Sequence, residues 1–418
     1  MFDGYSCGML PAWLPALLIA ATAPGLGSGP EAAVSLGEAR ELAVRAGPDV
    51  VLAEVRTQAA RAQIDIAGAL ANPTLGLQTA RLTAKLTTSL GLPLLLFGQR
   101  HTAISAAKAD AEAVRLDVEA VRLDARWNAT RAWLDLWEAQ ERARLLDAVS
   151  AANERLARIA AERFAAGSAP RVDVIRTKAD LARARAEAAA AAGAVPGAAA
   201  HLAYWIGADA SRPLRADGAI DLGPLPSEED AVARLASQHP ALRRDRAQVD
   251  AAAAHVRAEQ RLRWPVVTAD LSVAQGDPTL TGTDVIGGVS FEAPVLNQRG
   301  GAIARARAEQ ALAETTTELE LRRLSADLVA AYRDSEGAAL RARALTNDVL
   351  PALEEARRMT EEGYQDGRVD LLRVLETQSA AREAQLASVG ARAAWQRARA
   401  DVERAIGVAA SQGPNREP

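Results

Sequence analysis

The sequence predicts a mainly α-helical chain that carries a transmembrane β part and is written as two tandem copies of one unit. Three observations predict it. Hydrophobic residues make up 49% of the chain but aromatics only 4%, so Ala, Leu and Val carry the apolar share, as they do in long helices. One unusual junction occurs twice: "LFGQRHTAISAAKADAEA" (96–113) and "VLNQRGGAIARARAEQAL" (295–312) align Gln99 and Arg100 with Gln298 and Arg299 at an offset of 199. Each junction follows a stretch in which apolar and polar residues alternate with the period of a strand.

In chain order, "MLPAWLPALLIAATA" (9–23) is an apolar run too short to span a bilayer and is followed by small residues, so residues 1–30 read as a signal peptide and linker. No Lys or Arg precedes the run, and Pro24 disfavours cleavage after Ala23. Repeat 1 then covers residues 31–222, repeat 2 residues 223–410, and 411–418 read as a disordered tail. Each repeat opens on a helix that aligns Pro48 with Pro240, and Pro73 aligns with Pro265 at the same offset of 192. The offset grows before Gln298, so the second copy holds about seven extra residues there, as loops tolerate.

A β-hairpin comes next, at about 73–95 and about 265–295. Leu86, Thr88, Leu90 and Leu92 alternate with Lys85, Thr87, Ser89 and Gly91, as Val267, Ala269, Leu271 and Val273 do with Thr268, Asp270, Ser272 and Ala274. Val285, Gly287, Val289 and Phe291 form a weaker series. Strands of about nine to eleven residues are long enough to cross the hydrocarbon layer. A soluble hairpin layer packed on helices would alternate equally well.

After each junction a long helix follows. No Pro or Gly lies between Ala103 and Ala166. Val114, Val118, Val121, Ala125, Asn128 and Ala132, then Leu145, Val149, Ala152, Leu156 and Ile159, keep a coiled-coil spacing. "AAGSAP" and "QDGRVD" supply Gly-centred reversals, and helix resumes over Val174–Glu187 and Val374–Leu386, giving helical hairpins with tips near 167 and 367. Gly207 and Gly407, each after Ile, close the units. Four strands cannot close a barrel, and only closed barrels satisfy every backbone group in lipid. A spanning chain must therefore oligomerise, two copies giving eight strands and three giving twelve.

Composition removes several function classes. A net charge of −4 without basic clusters gives no footprint for nucleic acid. One cysteine, Cys7, excludes an internal disulfide and a Cys-based zinc site. His101, His201, His239 and His255 are dispersed, without a second His or a carboxylate at ligand spacing, and read as solvated or packed. No nucleophile elbow, phosphate loop or catalytic carboxylate pair stands in a believable context, so no catalytic residue, cofactor or resident metal is expected.

Two repeats, each with a strand pair, a Gln-Arg junction into a long helix and an aromatic-x-x-Gly tip, resemble the TolC-type outer-membrane efflux proteins. The resemblance covers residues 35–408, and "FEAPVLNQRGGAIARARAE" (291–309) is most similar to their heavy-metal-efflux branch, the CzcC and CusC type. It implies a homotrimer with a twelve-stranded outer-membrane barrel in lipid and a periplasmic α-helical tunnel. The tips would meet a periplasmic adaptor protein and an inner-membrane pump. It implies no enzyme but the exit duct of a tripartite system, passing heavy-metal cations from the pump and adaptor to the exterior. The same duct could serve drug export or type I protein secretion, and a soluble coiled-coil scaffold is the other rival. Residue by residue, the resemblance places adaptor contact at Phe164, Gly167, Val174, Tyr364, Gly367 and Val374. Asp173, Asp370 and Glu376 become entrance carboxylates that three-fold symmetry would turn into rings favouring cations. Gln99, Arg100, Gln298 and Arg299 mark where barrel strand passes into tunnel helix. Trp264, Phe97 and Phe291 are the few candidates for interface girdles, and Cys7, ahead of the apolar run, does not match the lipid anchor of many relatives.

Overall fold

The computed structural model describes residues 32–79, 85–218, 220, 227–276, 282–292 and 294–407. The expected signal peptide, Cys7 and the tail lie outside them. The chain opens on β1 (Ala32–Ser35), which pairs in parallel with the distant β4 (Leu214–Asp217). Ser35 caps α1 (Leu36–Ala46) through a capping box, its hydroxyl taking the Glu38 N–H while the Glu38 carboxylate takes the Ser35 N–H. Pro48, which cannot donate to a preceding turn, breaks the expected first helix and starts α2 (Pro48–Gly68). Beyond β2 (Thr74–Gln78) and β3 (Leu86–Leu94) runs α3 (Gln99–Ala165), whose 67 residues reach about 100 Å at 1.5 Å each. The chain then returns through α4 (Arg171–Trp205).

The later elements follow the same order. α5 (Glu228–Gln238) and α6 (Pro240–Arg261) meet at His239-Pro240, then come β5 (Val267–Gln275) and β6 (Thr283–Phe291). α7 (Gly300–Ala344) does not run unbroken to its tip. A π-helical turn at Leu345–Val349 separates it from α8 (Leu350–Gln365), next to Pro351, which lacks the N–H a regular turn needs. α9 (Leu371–Ile406) returns and lies against α3. Both returning helices extend well past the expected segments. In α3 the expected seam is partly realised: Val118, Ala125, Ala132 and Leu156 are buried, the other seam positions half-buried. The seam is laced with charge, Arg404 meeting Asp124 at 2.8 Å and Trp127 Nε1 donating to Asp401 at 2.6 Å.

The main core sits at the β1–β4 end, where Trp133, Leu202, Ile206 and Leu214 pack around Val34. Trp133 Nε1 donates to the Val34 carbonyl at 2.8 Å. Sequence periodicity did not foresee this parallel pair, because four-residue strands 182 positions apart carry too few residues to alternate visibly. Gly207 and Gly407 both have left-handed backbone, at φ 69° and 77°. A Cβ on Gly207 would collide with the Ala46 carbonyl, and one on Gly407 with the His239-Pro240 backbone and ring. Each glycine therefore lets a returning helix end seat on the break between the two opening helices.

Four strands form one antiparallel sheet in the order β2-β3-β5-β6. β3, β5 and β6 have nine residues each, while β2 has five, short of the length expected. The register sorts the side chains, because residues opposite each other in a ladder share a face. Rows Leu75–Leu90–Leu271–Gly287, Leu77–Thr88–Val273–Val285, Leu92–Ala269–Val289 and Leu94–Val267–Phe291 make one face apolar. Rows Thr74–Gly91–Asp270–Gly288, Gly76–Ser89–Ser272–Ile286 and Gln78–Thr87–Ala274–Asp284 make the other largely polar. Neither face is buried: Leu75, Leu77, Val285, Val289 and Phe291 are exposed. β2 and β6 each have one neighbour and one free edge.

His239, buried, caps α6 through Nδ1, which accepts the Ala241 N–H at 3.2 Å, while Nε2 lies 3.3 Å from the Arg404 carbonyl. Both contacts require the neutral ring with its proton on Nε2. Burial holds its pKa below the ordinary value, helped by Arg244 and opposed by the Arg404 carbonyl, Glu320 and Asp124. Unfolded, the ring takes a proton more readily than it does folded. The stability it contributes is thus complete above the ordinary value of 6.5 and declines as pH falls from there through the lower folded-state value. The thermal midpoint in detergent should drop between pH 7.5 and 5.5 for the native chain and drop less for His239→Asn, which keeps a capping oxygen. Equal slopes would count against this role.

Candidate functional site

The two tips close by the same backbone device. Gly167 N–H donates to Phe164 O at 3.0 Å and Ser168 N–H to Arg163 O at 2.8 Å; Gly367 N–H donates to Tyr364 O at 3.0 Å and Arg368 N–H to Gly363 O at 2.8 Å. This is the Schellman arrangement, in which the glycine at positive φ (72° and 75°) satisfies the last carbonyls of its helix. A Cβ on Gly167 would meet nothing within 4 Å, and one on Gly367 only Arg163 Nη2 at 3.8 Å. The space over both glycines is open.

The side chains differ between the tips. Tyr364 is 2% exposed and Val374 fully buried, in a cluster with Leu156 and Leu371. Arg163 stacks on the Tyr364 ring, 4.5 Å from its centroid, and donates to the Tyr364 carbonyl at 2.8 Å. Phe164 is 45% exposed and Val174 half-buried. The six residues expected at one surface therefore split into an enclosed set and an open set. Arg163 stands beside Phe164 in the sequence, where nothing marks it as a clamp on a residue 201 positions away.

The carboxylates expected at the entrance stand in different surroundings within the chain. Asp370 is the N-cap of α9, its side chain accepting the Arg373 N–H at 3.2 Å. Asp173 is half-buried; burial, opposed by Arg163 and aided by the Asp173 charge, pushes the Tyr364 phenol pKa up, and Glu376 is exposed. A feature that the sequence did not reveal lies above them. α3, α4, α8 and α9 wall a groove of about 570 Å³ into which seven arginines but only Glu141, Asp180 and Glu361 project. The arginines come from four helices, so no run in the sequence displays them. Four of them are paired, Arg144 with Glu141, Arg357 with Glu361, and both Arg183 and Arg382 with Glu187.

At the junction, Gln99 is buried: Nε2 donates to the carbonyls of Trp264 and Pro265, both at 3.3 Å, and Oε1 accepts the Phe97 N–H at 3.0 Å. Arg100 donates to the Gly68 carbonyl at 2.7 Å, and Arg299 pairs with Glu259 at 2.7 Å, so both arginines tie a long helix to the helix before the sheet. Gln298 is exposed and meets Arg263 at 3.5 Å. Phe97 and Trp264 stack at 5.3 Å, with Phe291 exposed apart from them. Of the histidines, His101 and His201 are exposed and His239 is the cap described above. His255 does meet a carboxylate, Asp110, at 2.9 Å, a pairing across 145 residues that spacing could not reveal. Among the described residues no three His, Cys, Asp or Glu side chains gather, and no helix is long and apolar enough to cross a membrane.

The family model described as Outer membrane efflux protein matches residues 40–208 and again residues 231–408. The chain belongs to this family. The cobalt-zinc-cadmium resistance protein CzcC of Cupriavidus metallidurans is 25% identical over 329 residues, 79% of this chain and 78% of that protein. Among solved structures, the Campylobacter jejuni CmeC outer membrane channel superposes with a TM-score of 0.76 at 16% identity, covering 89% of this chain and 85% of that one. CusC superposes with a TM-score of 0.75 at 16% identity, over 89% and 92% of the two chains. This outer membrane efflux protein accordingly has a mainly helical channel fold, and its relatives are efflux channels rather than enzymes.

Proposed function

We propose that the chain is the outer-membrane exit duct of a tripartite efflux system, passing heavy-metal cations from an inner-membrane pump and periplasmic adaptor to the exterior. The observation that carries this is the four-stranded sheet with one apolar face, one polar face and two free edges. The apolar rows run from Val267 to Val273 on β5, about 24 Å at roughly 3.4 Å per residue, which suits a lipid-facing band, and a polar face suits a water-filled lumen. β2 and β6 run antiparallel to each other, so the β6 edge of one copy can take the β2 edge of the next in the same sense as the other pairs. Three copies then close twelve strands and leave no edge in lipid. The two repeats place six helical hairpins below that barrel as a periplasmic tunnel. Its open glycine tips, with Val172 and Leu372 exposed beside them, face the adaptor.

Metal cargo rests on the similarity to the relative named for cobalt, zinc and cadmium resistance. With no gathered ligands among the described residues, the duct would hold its cargo weakly, as release requires, and selection would belong to the pump. Extraction from outer membranes and sizing in detergent should give a trimer. A deletion strain should lose tolerance to cobalt, zinc and cadmium more than to bulky drugs. A soluble monomer would end the duct reading, and metal tolerance with drug sensitivity would move it to drug export.

A further inference from the structure

The groove between the two helical hairpins carries more positive charge than the carboxylates around it can match. Glu141 and Glu361 each hold one of its arginines, and Glu187, outside the lining, serves both Arg183 and Arg382. Arg155 and Arg176 pair with no carboxylate among the described residues, and Arg392 lies over the Trp137 ring, 5.4 Å from its centroid. Lateral contacts fix the level of these groups. Glu154 meets Arg185 at 3.1 Å between α3 and α4, Glu187 meets Arg382 at 3.2 Å between α4 and α9, and Gln385 donates to Glu354 at 3.0 Å between α9 and α8. Arg155, Arg183, Arg357 and Arg382, one from each wall, therefore stand within about two helical turns, roughly 11 Å, of one level. Along α9 the lining runs from Leu375 to Arg392, about 26 Å at roughly 1.5 Å per residue. Leu145, Val149, Ala152 and Leu375 make the wall apolar between the arginines.

We propose that this groove binds a small chain-like multivalent oxyanion, of which a condensed phosphate is the simplest, across both hairpins of one chain. A guanidinium is a planar fork that takes two oxygens of one anionic group at once. A monovalent anion engages a single fork, and salt screens that attraction beyond roughly 8 Å. An anion with several charged groups in a row reaches arginines on opposite walls together, and each contact after the first is intramolecular. The apolar wall between the forks keeps the field concentrated in the groove. Its elongated form suits a chain better than a compact ion. The ligand repeats for four walls what Glu187 does for two, since that carboxylate already joins Arg183 of the first hairpin to Arg382 of the second. One chain supplies every wall, so the site does not depend on the duct proposed above.

Calorimetric titration of the full chain in non-ionic detergent, with inorganic tripolyphosphate in metal-free chloride buffer, tests the site. One saturable event per chain is expected, at least about tenfold tighter than with orthophosphate. Saturating tripolyphosphate should also raise the thermal midpoint of the native chain. Arg155→Gln with Arg176→Gln breaks no ion pair and should weaken binding about tenfold, and lysine at both positions should recover part of the loss. Glu187→Gln frees Arg183 and Arg382 and should tighten binding while it lowers the midpoint of the ligand-free chain; a purely structural charge network would lose both. Arg322→Gln, at an exposed arginine of α7 outside the groove, should leave binding unchanged. Binding that does not saturate, that is equal in the Arg155 and Arg176 double variant, or that weakens with Glu187→Gln overturns the site. Sizing the same samples keeps the two readings apart: a monomer that binds sustains the site and ends the duct, and a trimer that does not bind does the reverse.

Discussion

Replacing Trp133 by alanine should remove about 3–5 kcal/mol of stability, the cost typical of emptying a large aromatic site in a packed core. The ring is 1% exposed, lies among Leu202, Ile206 and Leu214, and donates to the Val34 carbonyl at 2.8 Å. Alanine leaves a cavity where α3, α4 and the β1–β4 pair meet, and it strips that donor from Val34. Against a total of roughly 5–15 kcal/mol for ordinary domains, such a loss is about a fifth of the whole or more. Chemical unfolding in detergent at fixed protein concentration, followed by far-ultraviolet circular dichroism, reads the effect. Trp133→Phe separates its parts: the ring is largely kept and only the hydrogen bond goes, worth about 1 kcal/mol. A Trp133→Ala midpoint equal to that of the native chain would show that this end of the molecule does not hold the fold.

Gly167→Glu should abolish efflux while leaving membrane insertion and trimer amount near normal. Its φ of 72° makes any other residue cost about 1–2 kcal/mol, a loss spread over a short exposed turn. No atom within 4 Å would resist the new Cβ, so neither the hairpin nor the sheet is pushed apart. The carboxylate and its stem would instead fill the open space that a partner backbone needs at the tip. Gly167→Ala carries the same backbone strain without the bulk and should retain most efflux. Metal tolerance of cells producing each variant, with the trimer quantified in the same membranes, decides the matter. Full tolerance with Gly167→Glu would remove the tip from the proposed adaptor surface. Gly367→Glu should act similarly but less cleanly, because Arg163 Nη2 lies 3.8 Å from the added Cβ and a glutamate can draw it from Tyr364.

The sequence by itself determined the long helices, the positions of the hairpins, the Gly reversals and the alternation of the strands. Each is a local or periodic property: sixty-odd residues without Pro or Gly favour one helix, and period two sorts a strand whatever it pairs with. The duplicated junction was legible because both copies kept Gln and Arg. What the tertiary structure alone decided are the contacts that join residues far apart in the chain. Arg163 on Tyr364, Gln99 on Trp264 and Pro265, His255 on Asp110, and Trp133 under β1 each span more than ninety residues, and no spacing rule encodes them. It also separated the roles of look-alike residues. Phe164 and Tyr364 occupy the same place in their repeats, yet one is open and the other enclosed, because the helix beside Tyr364 belongs to the same chain. Burial depends on which neighbour arrives, and within this chain α3 reaches Tyr364 while Phe164 stays open.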